Sequence, residues 1–134
     1  PALDHRIRQH YLEMWTRQRE RPASDFLGDP LGALAAVILF DQFPRNMFRG
    51  HADQFATDHL ALAIARGAVD RGFDDELDPD ERAFLYLPFE HSESLPDQDR
   101  SLLLFTALGV PLYLDFAKKH RDVIARFGRF PHRN

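Results

Sequence analysis

The chain contains no cysteine. Disulfides, thiolate metal sites and cysteine nucleophiles are therefore excluded, and the composition fits a cytoplasmic protein. Also missing is an apolar run of about 18 residues, the minimum for a membrane-crossing helix. The longest run, Leu31 to Phe40, is interrupted by Gly32 and reads as a buried helix instead. The opening Pro1-Ala2-Leu3-Asp4-His5-Arg6 is amphipathic and carries no signal-peptide pattern. Positive charge is not in excess: the net charge is −4, which argues against general nucleic-acid binding. The glycines stand singly, so no phosphate-cradling loop is present, and Ser92, Ser94 and Ser101 lack a nucleophile-elbow context. No His-Glu-x-x-His or Glu-x-x-His pair occurs, so neither a metal nor a cofactor is expected.

What the chain does have is helical periodicity and phenylalanine, twelve residues of it in a length of 134, enough for one domain with an aromatic core. Leu3, Ile7, Tyr11, Met14 and Trp15 share one helical stripe, predicting a helix from about 2 to 21 that stops before Pro22. Asp29-Pro30 is an N-cap followed by proline in the first turn and opens a second helix that Pro44 should end. A third is predicted over about 53–71, closed by Gly72. Asp78-Pro79-Asp80-Glu81 has the form of a capping box and starts a fourth, with Pro88 as a kink or early stop. Ser94-Leu95-Pro96 starts a fifth, ending at Gly109, and Pro111 starts a sixth, ending at Gly128. No strand pattern competes. The connections are short, so neighbours should be antiparallel hairpins. The expected fold is a single all-α domain over residues 1–134, about six helices stacked as tetratricopeptide-like hairpins.

Polar groups concentrate in three places. Asp41-Gln42-Phe43-Pro44-Arg45-Asn46 with Phe48-Arg49-Gly50 closes the long apolar run. Phe84-Leu85-Tyr86-Leu87-Pro88-Phe89-Glu90-His91-Ser92-Glu93 closes the fourth helix. Arg126-Phe127-Gly128-Arg129-Phe130-Pro131-His132-Arg133-Asn134 closes the chain. These three motifs, in this order, resemble a bacterial helical family catalogued only as a domain of unknown function, and the resemblance covers nearly the whole chain. It implies an all-α, tetratricopeptide-like fold and no established reaction, substrate or cofactor. It also implies further segments at both ends, so the chain reads as a trimmed core.

If the three motifs converge, they build a pocket. Arginine donates two parallel hydrogen bonds from a planar fork, which suits carboxylates and phosphates. Asp41, Arg45, Asn46, Arg49, His91, Arg126, Arg129 and His132 are therefore the expected ligand-binding set, for an anionic small molecule or an acidic peptide. The catalytic alternative is a small hydrolase-like or lyase-like enzyme in which His91 is the base and Glu90 or Glu93 orients it. The bland alternative is that these charges pair with one another and lock loops. Asp70 to Glu81 is strongly acidic and reads as a solvated face, whereas Lys118 to Arg133 is strongly basic and overlaps the third motif. Neither a nucleic acid nor a membrane is expected as a partner, and the sequence says nothing of oligomeric state.

Overall fold

The computed structural model describes residues 2–133; Asn134, the last residue of the third motif, lies outside them. Among the described residues every regular element is helical and none is a strand. The α-helices are α1 (Ala2–Gln18), α2 (Pro30–Val37), α3 (Phe43–Met47), α4 (Asp58–Asp70), α5 (Pro79–Glu90), α6 (Leu95–Leu108) and α7 (Pro111–Phe127). A π-helical segment, Ile38–Gln42, joins α2 to α3 without a break, so the helices form about six rods. Short 3-10 turns at Ala23–Phe26, Ala52–Phe55, Phe73–Glu76 and Pro131–Arg133 fill the connections.

Capping chemistry sets most of these boundaries. Asp78 accepts from the Glu81 amide and Glu81 reaches back to the Asp78 amide, the reciprocal pair that the sequence predicts. Gly109 (φ 78°) and Gly128 (φ 71°) end α6 and α7 in the left-handed conformation that side chains disfavour. Asp29 precedes Pro30 as expected, but its side chain makes no capping hydrogen bond. The third predicted helix is two pieces, the turn at 52–55 and α4.

Neither internal proline stops its helix. Pro88 neither ends nor shortens α5, which runs on to Glu90. Pro44 does not end the second helix; the chain passes through it to Met47. The π segment explains this. The Phe43 amide reaches back five residues to the Ile38 carbonyl, so the turn is widened just before the residue that has no N–H to give. The carbonyl four residues before Pro44 belongs to Phe40 and loses its helical donor. The Thr57 hydroxyl supplies one at 2.7 Å, and Trp15 Nε1 donates to that same hydroxyl at 3.1 Å. One proline thus ties α1, the π segment and the start of α4 together through a buried chain of hydrogen bonds.

The core lies where α2, the π segment, α4 and α5 meet, around Val37, Phe40, Ile64, Leu85 and Phe89, all fully buried. Ala61, Ala65 and Ala68 make one face of α4 small, which lets it approach α2 closely. From α4 onward, consecutive helices pack on one another: α4 on α5, α5 on α6, α6 on α7. α1 meets the body chiefly at the π segment, and Trp15 is its one buried side chain. Among the described residues, no helix is long and apolar enough to cross a membrane.

Candidate functional site

The widened turn has a second consequence. It turns Asp41 fully inward, a carboxylate with 0 % exposure beside Phe40. A buried charge needs partners, and Asp41 has them. His91 Nδ1, at the C-terminus of α5, lies 2.8 Å from Asp41 Oδ1. Arg45, one turn along from Asp41, donates to the same oxygen at 3.2 Å and to the Asp41 carbonyl at 2.8 Å. Gln42 Nε2 donates to the other carboxylate oxygen at 2.6 Å. Burial alone would push this carboxyl up; His91, Arg45 and Gln42 together outweigh it and hold it below the ordinary carboxylate range. An ionised carboxylate can only accept, so the hydrogen between the two residues sits on His91 Nδ1. That leaves Nε2 as the basic nitrogen of the neutral ring, with no hydrogen-bond partner among the described residues.

Arg45 is also the fork of a two-bond ion pair with Asp58, at 2.7 and 2.9 Å. Its burial is offset by those two acids, which hold its charge firmly in place. Arg133 arrives from the chain's end. It donates to the His91 carbonyl at 2.8 Å, lies 3.8 Å from Asp58 and 4.0 Å from Glu93, and stacks its guanidinium over Phe55 and Phe130. Its Nε is buried without an acceptor. Burial lowers the Arg133 pKa, and Asp58 and Glu93 oppose that. Glu93 accepts from the Phe130 amide at 2.6 Å, pinning the last turn to the end of α5.

The end of α5 is closed by side chains as well. Gln98 Nε2 donates to the carbonyls of Glu90 and Ser92, both at 2.7 Å, and Ser92 donates to Asp97 at 2.7 Å. With Arg133 on the His91 carbonyl, three successive carbonyls at the end of α5, Glu90 to Ser92, have donors. The loop that carries His91 is therefore held rigidly from both sides.

Three cavities meet at His91. The first, about 280 Å³, lies between α5, α6 and α7; its walls include Phe84, Leu87, Phe105 and Phe116, and its polar groups are Glu90, His91, His120, Tyr113 and Asp80. The second, about 300 Å³, runs past Phe55, Asp58, Pro88, Glu93 and Arg133. The third, about 170 Å³, holds Arg45, Gln54, His120, His132 and Arg133. The His91 and His120 rings are 6.2 Å apart across this junction. Glu90 is 4 % exposed and its carboxyl has no hydrogen bond among the described residues. Burial pushes its pKa up, and the fields of His120 and His91 counter that in part. Asp41 and Glu90 are thus two buried acids beside one histidine with pKa values driven apart.

The three sequence motifs do converge, though not through every residue expected of them. Asp41, Arg45 and His91 come together, and His132 lines the smallest cavity from an exposed position. Arg49, Arg126 and Arg129 are exposed, make no ion pair among the described residues and line none of these cavities; the clamp of four arginines is not formed. Asn46 is exposed and borders a separate groove between α1 and α2. The acid that orients His91 is Asp41, not Glu90 or Glu93: Glu90 faces the first cavity and Glu93 is engaged by the last turn. Asp58 and His120 join the cluster through tertiary packing, and no local pattern marks them. Among the described residues, no group of three His, Asp or Glu side chains is spaced to hold a metal ion.

No curated protein matches this sequence. A protein of unknown function from Agrobacterium tumefaciens has a solved structure similar to this one, with a TM-score of 0.83 and 44 % sequence identity over 97 % of this chain and 71 % of that chain. The model of the family described as bacterial protein of unknown function (DUF924) matches residues 1–134, and the chain belongs to that family.

Proposed function

We propose that this protein is a small acid–base enzyme, hydrolase-like or lyase-like, with His91 as its general base. One observation carries the reading: His91 is fixed through Nδ1 on a buried carboxylate while its ring borders three cavities. A buried acid on one ring nitrogen sets the tautomer and orientation, and it stabilises the imidazolium that forms when the other nitrogen takes a proton. Asp41 has that position. The proton would come to Nε2 from water or from the substrate. Arg133 and Arg45, across the smallest cavity, would face negative charge that develops there.

Binding of an anionic ligand without catalysis is the second reading. It is favoured by the buried Arg133 Nε, which has no acceptor. Arg45 supports it less, because both ends of its guanidinium are already used by Asp41 and Asp58.

The test is a turnover screen over ester, amide, phosphate-ester and β-elimination substrates, run on the parent protein, His91→Gln and Asp41→Asn. Activity lost in both folded variants supports the base assignment. Turnover that survives His91→Gln removes it.

A further inference from the structure

The cavity between α5, α6 and α7 has a charge character opposite to the one that the sequence suggests. No lysine or arginine borders it; its titratable groups are two acids, Glu90 and Asp80, with His91, His120 and Tyr113. Tyr113 donates to Asp80 at 3.0 Å, so Asp80 already has a partner. Glu90 has none: it is 96 % buried, borders the cavity, and makes no hydrogen bond through its carboxyl among the described residues. Its backbone carbonyl, by contrast, is satisfied by Gln98. Its carboxyl oxygens open on the cavity, so a donor that enters the cavity reaches them. The remaining walls are aromatic: Phe84, Phe105, Phe116 and Tyr113. Phe84 and Phe116 are 44 % and 49 % exposed, an unusual state for two neighbouring large apolar side chains. Aromatic faces attract cations as well as apolar groups. A cavity near 300 Å³ is at the small end for organic ligands, about the size of one ring with a short head group.

The geometry points to a binding site for a small organic ammonium ion: its charged nitrogen on Glu90, its apolar body between Phe84, Phe105 and Phe116. The ammonium supplies the hydrogen bonds that Glu90 lacks, and its charge offsets the burial that otherwise disfavours the ionised carboxyl. His91 borders the same cavity, so the ammonium ion is also the substrate class of the acid–base centre; that extension rests on the base assignment, whereas the binding itself does not.

Binding is measured by NMR titration at pH 8, above the ordinary histidine range, with benzylamine, benzyl alcohol and benzoate as probes of equal shape and different charge. Benzylammonium should bind about tenfold more tightly than the alcohol, the effect of one charge-assisted hydrogen bond, and benzoate most weakly. Glu90→Gln should abolish the preference for the ammonium and keep the alcohol's affinity. Phe116→Ala, at an exposed position outside the core, should weaken all three. The binding readout needs no turnover, so it is decided separately from the base assignment. Benzoate binding as well as benzylammonium, an ammonium preference that survives Glu90→Gln, or no shift at residues around the cavity with any probe would each overturn the proposal. The three-probe ranking on the parent protein decides the matter even where Glu90→Gln fails to fold.

Discussion

Asp41 and His91 are fifty residues apart in the chain and 2.8 Å apart in space. The contact joins the π-helical turn just before Pro44 to the capped end of α5. It converts a buried charge, a liability for stability, into a device that orients an imidazole.

Removing the carboxylate should be expensive. Asp41→Ala leaves the His91 Nδ1–H without its acceptor and Arg45 with Asp58 alone, and a buried donor left unpaired costs about 1–3 kcal/mol. Urea unfolding of the variant against the parent measures this. A loss under about 1 kcal/mol would mean that water replaces the carboxylate at no cost.

Acid should unfold the protein partly through the same group. His91, Arg45 and Gln42 hold the folded-state pKa of Asp41 below the ordinary carboxylate value. A depressed carboxyl contributes stability that is present above the unfolded pKa and lost as pH falls through the folded one. Stability should therefore drop below about pH 4, and Asp41→Asn should flatten that limb. Glu90 has the opposite sign. Its folded pKa is raised, so its contribution is present at low pH and lost as pH rises through the folded value. Glu90→Gln should be at least as stable as the parent at pH 7, with the difference shrinking toward pH 4. Thermal melts across that range check both slopes.

Thr57 should matter beyond its size. Thr57→Val keeps the shape but leaves the Phe40 carbonyl and Trp15 Nε1 without their partner. Two buried groups would lose their hydrogen bonds, at about 1–3 kcal/mol each. Thr57→Ser should recover most of that, as read by the urea midpoint.

Arg133→Ala should release the last turn while leaving the helices intact. Arg133 holds the His91 carbonyl, and the Phe130 amide is bonded to Glu93 beside it. Amide exchange at Phe130 should accelerate by about tenfold or more, with α4 and α5 unchanged.

Much of the fold was legible in the sequence, because caps are local. Asp78-Pro79-Asp80-Glu81, Gly109 and Gly128 mark their boundaries by chemistry that needs no tertiary partner. Pro44 misled for the same reason: it reads as a stop when only its own turn is considered. Thr57 rescues the Phe40 carbonyl from seventeen residues away, and no periodicity announces such a bond. The site was legible to a similar degree. Asp41, Arg45 and His91 stood out because charges at the end of a buried helix must be paired. Their pairing could not be read, since Asp41 and Glu90 are equally acidic in sequence and differ only in what surrounds them. Arg126 and Arg129 looked like binding residues through composition; helix phase instead places them on the solvent side of α7 and the turn after it.

Asp41 holds the His91 ring through Nδ1 and leaves Nε2 without a partner among the described residues. Two-dimensional ¹H–¹⁵N spectroscopy of the histidine rings at pH 8 tests it without a substrate. His91 should be the Nδ1–H tautomer in the parent protein and lose that preference in Asp41→Asn. An Nε2–H tautomer at His91, or a tautomer unchanged by Asp41→Asn, would contradict the account.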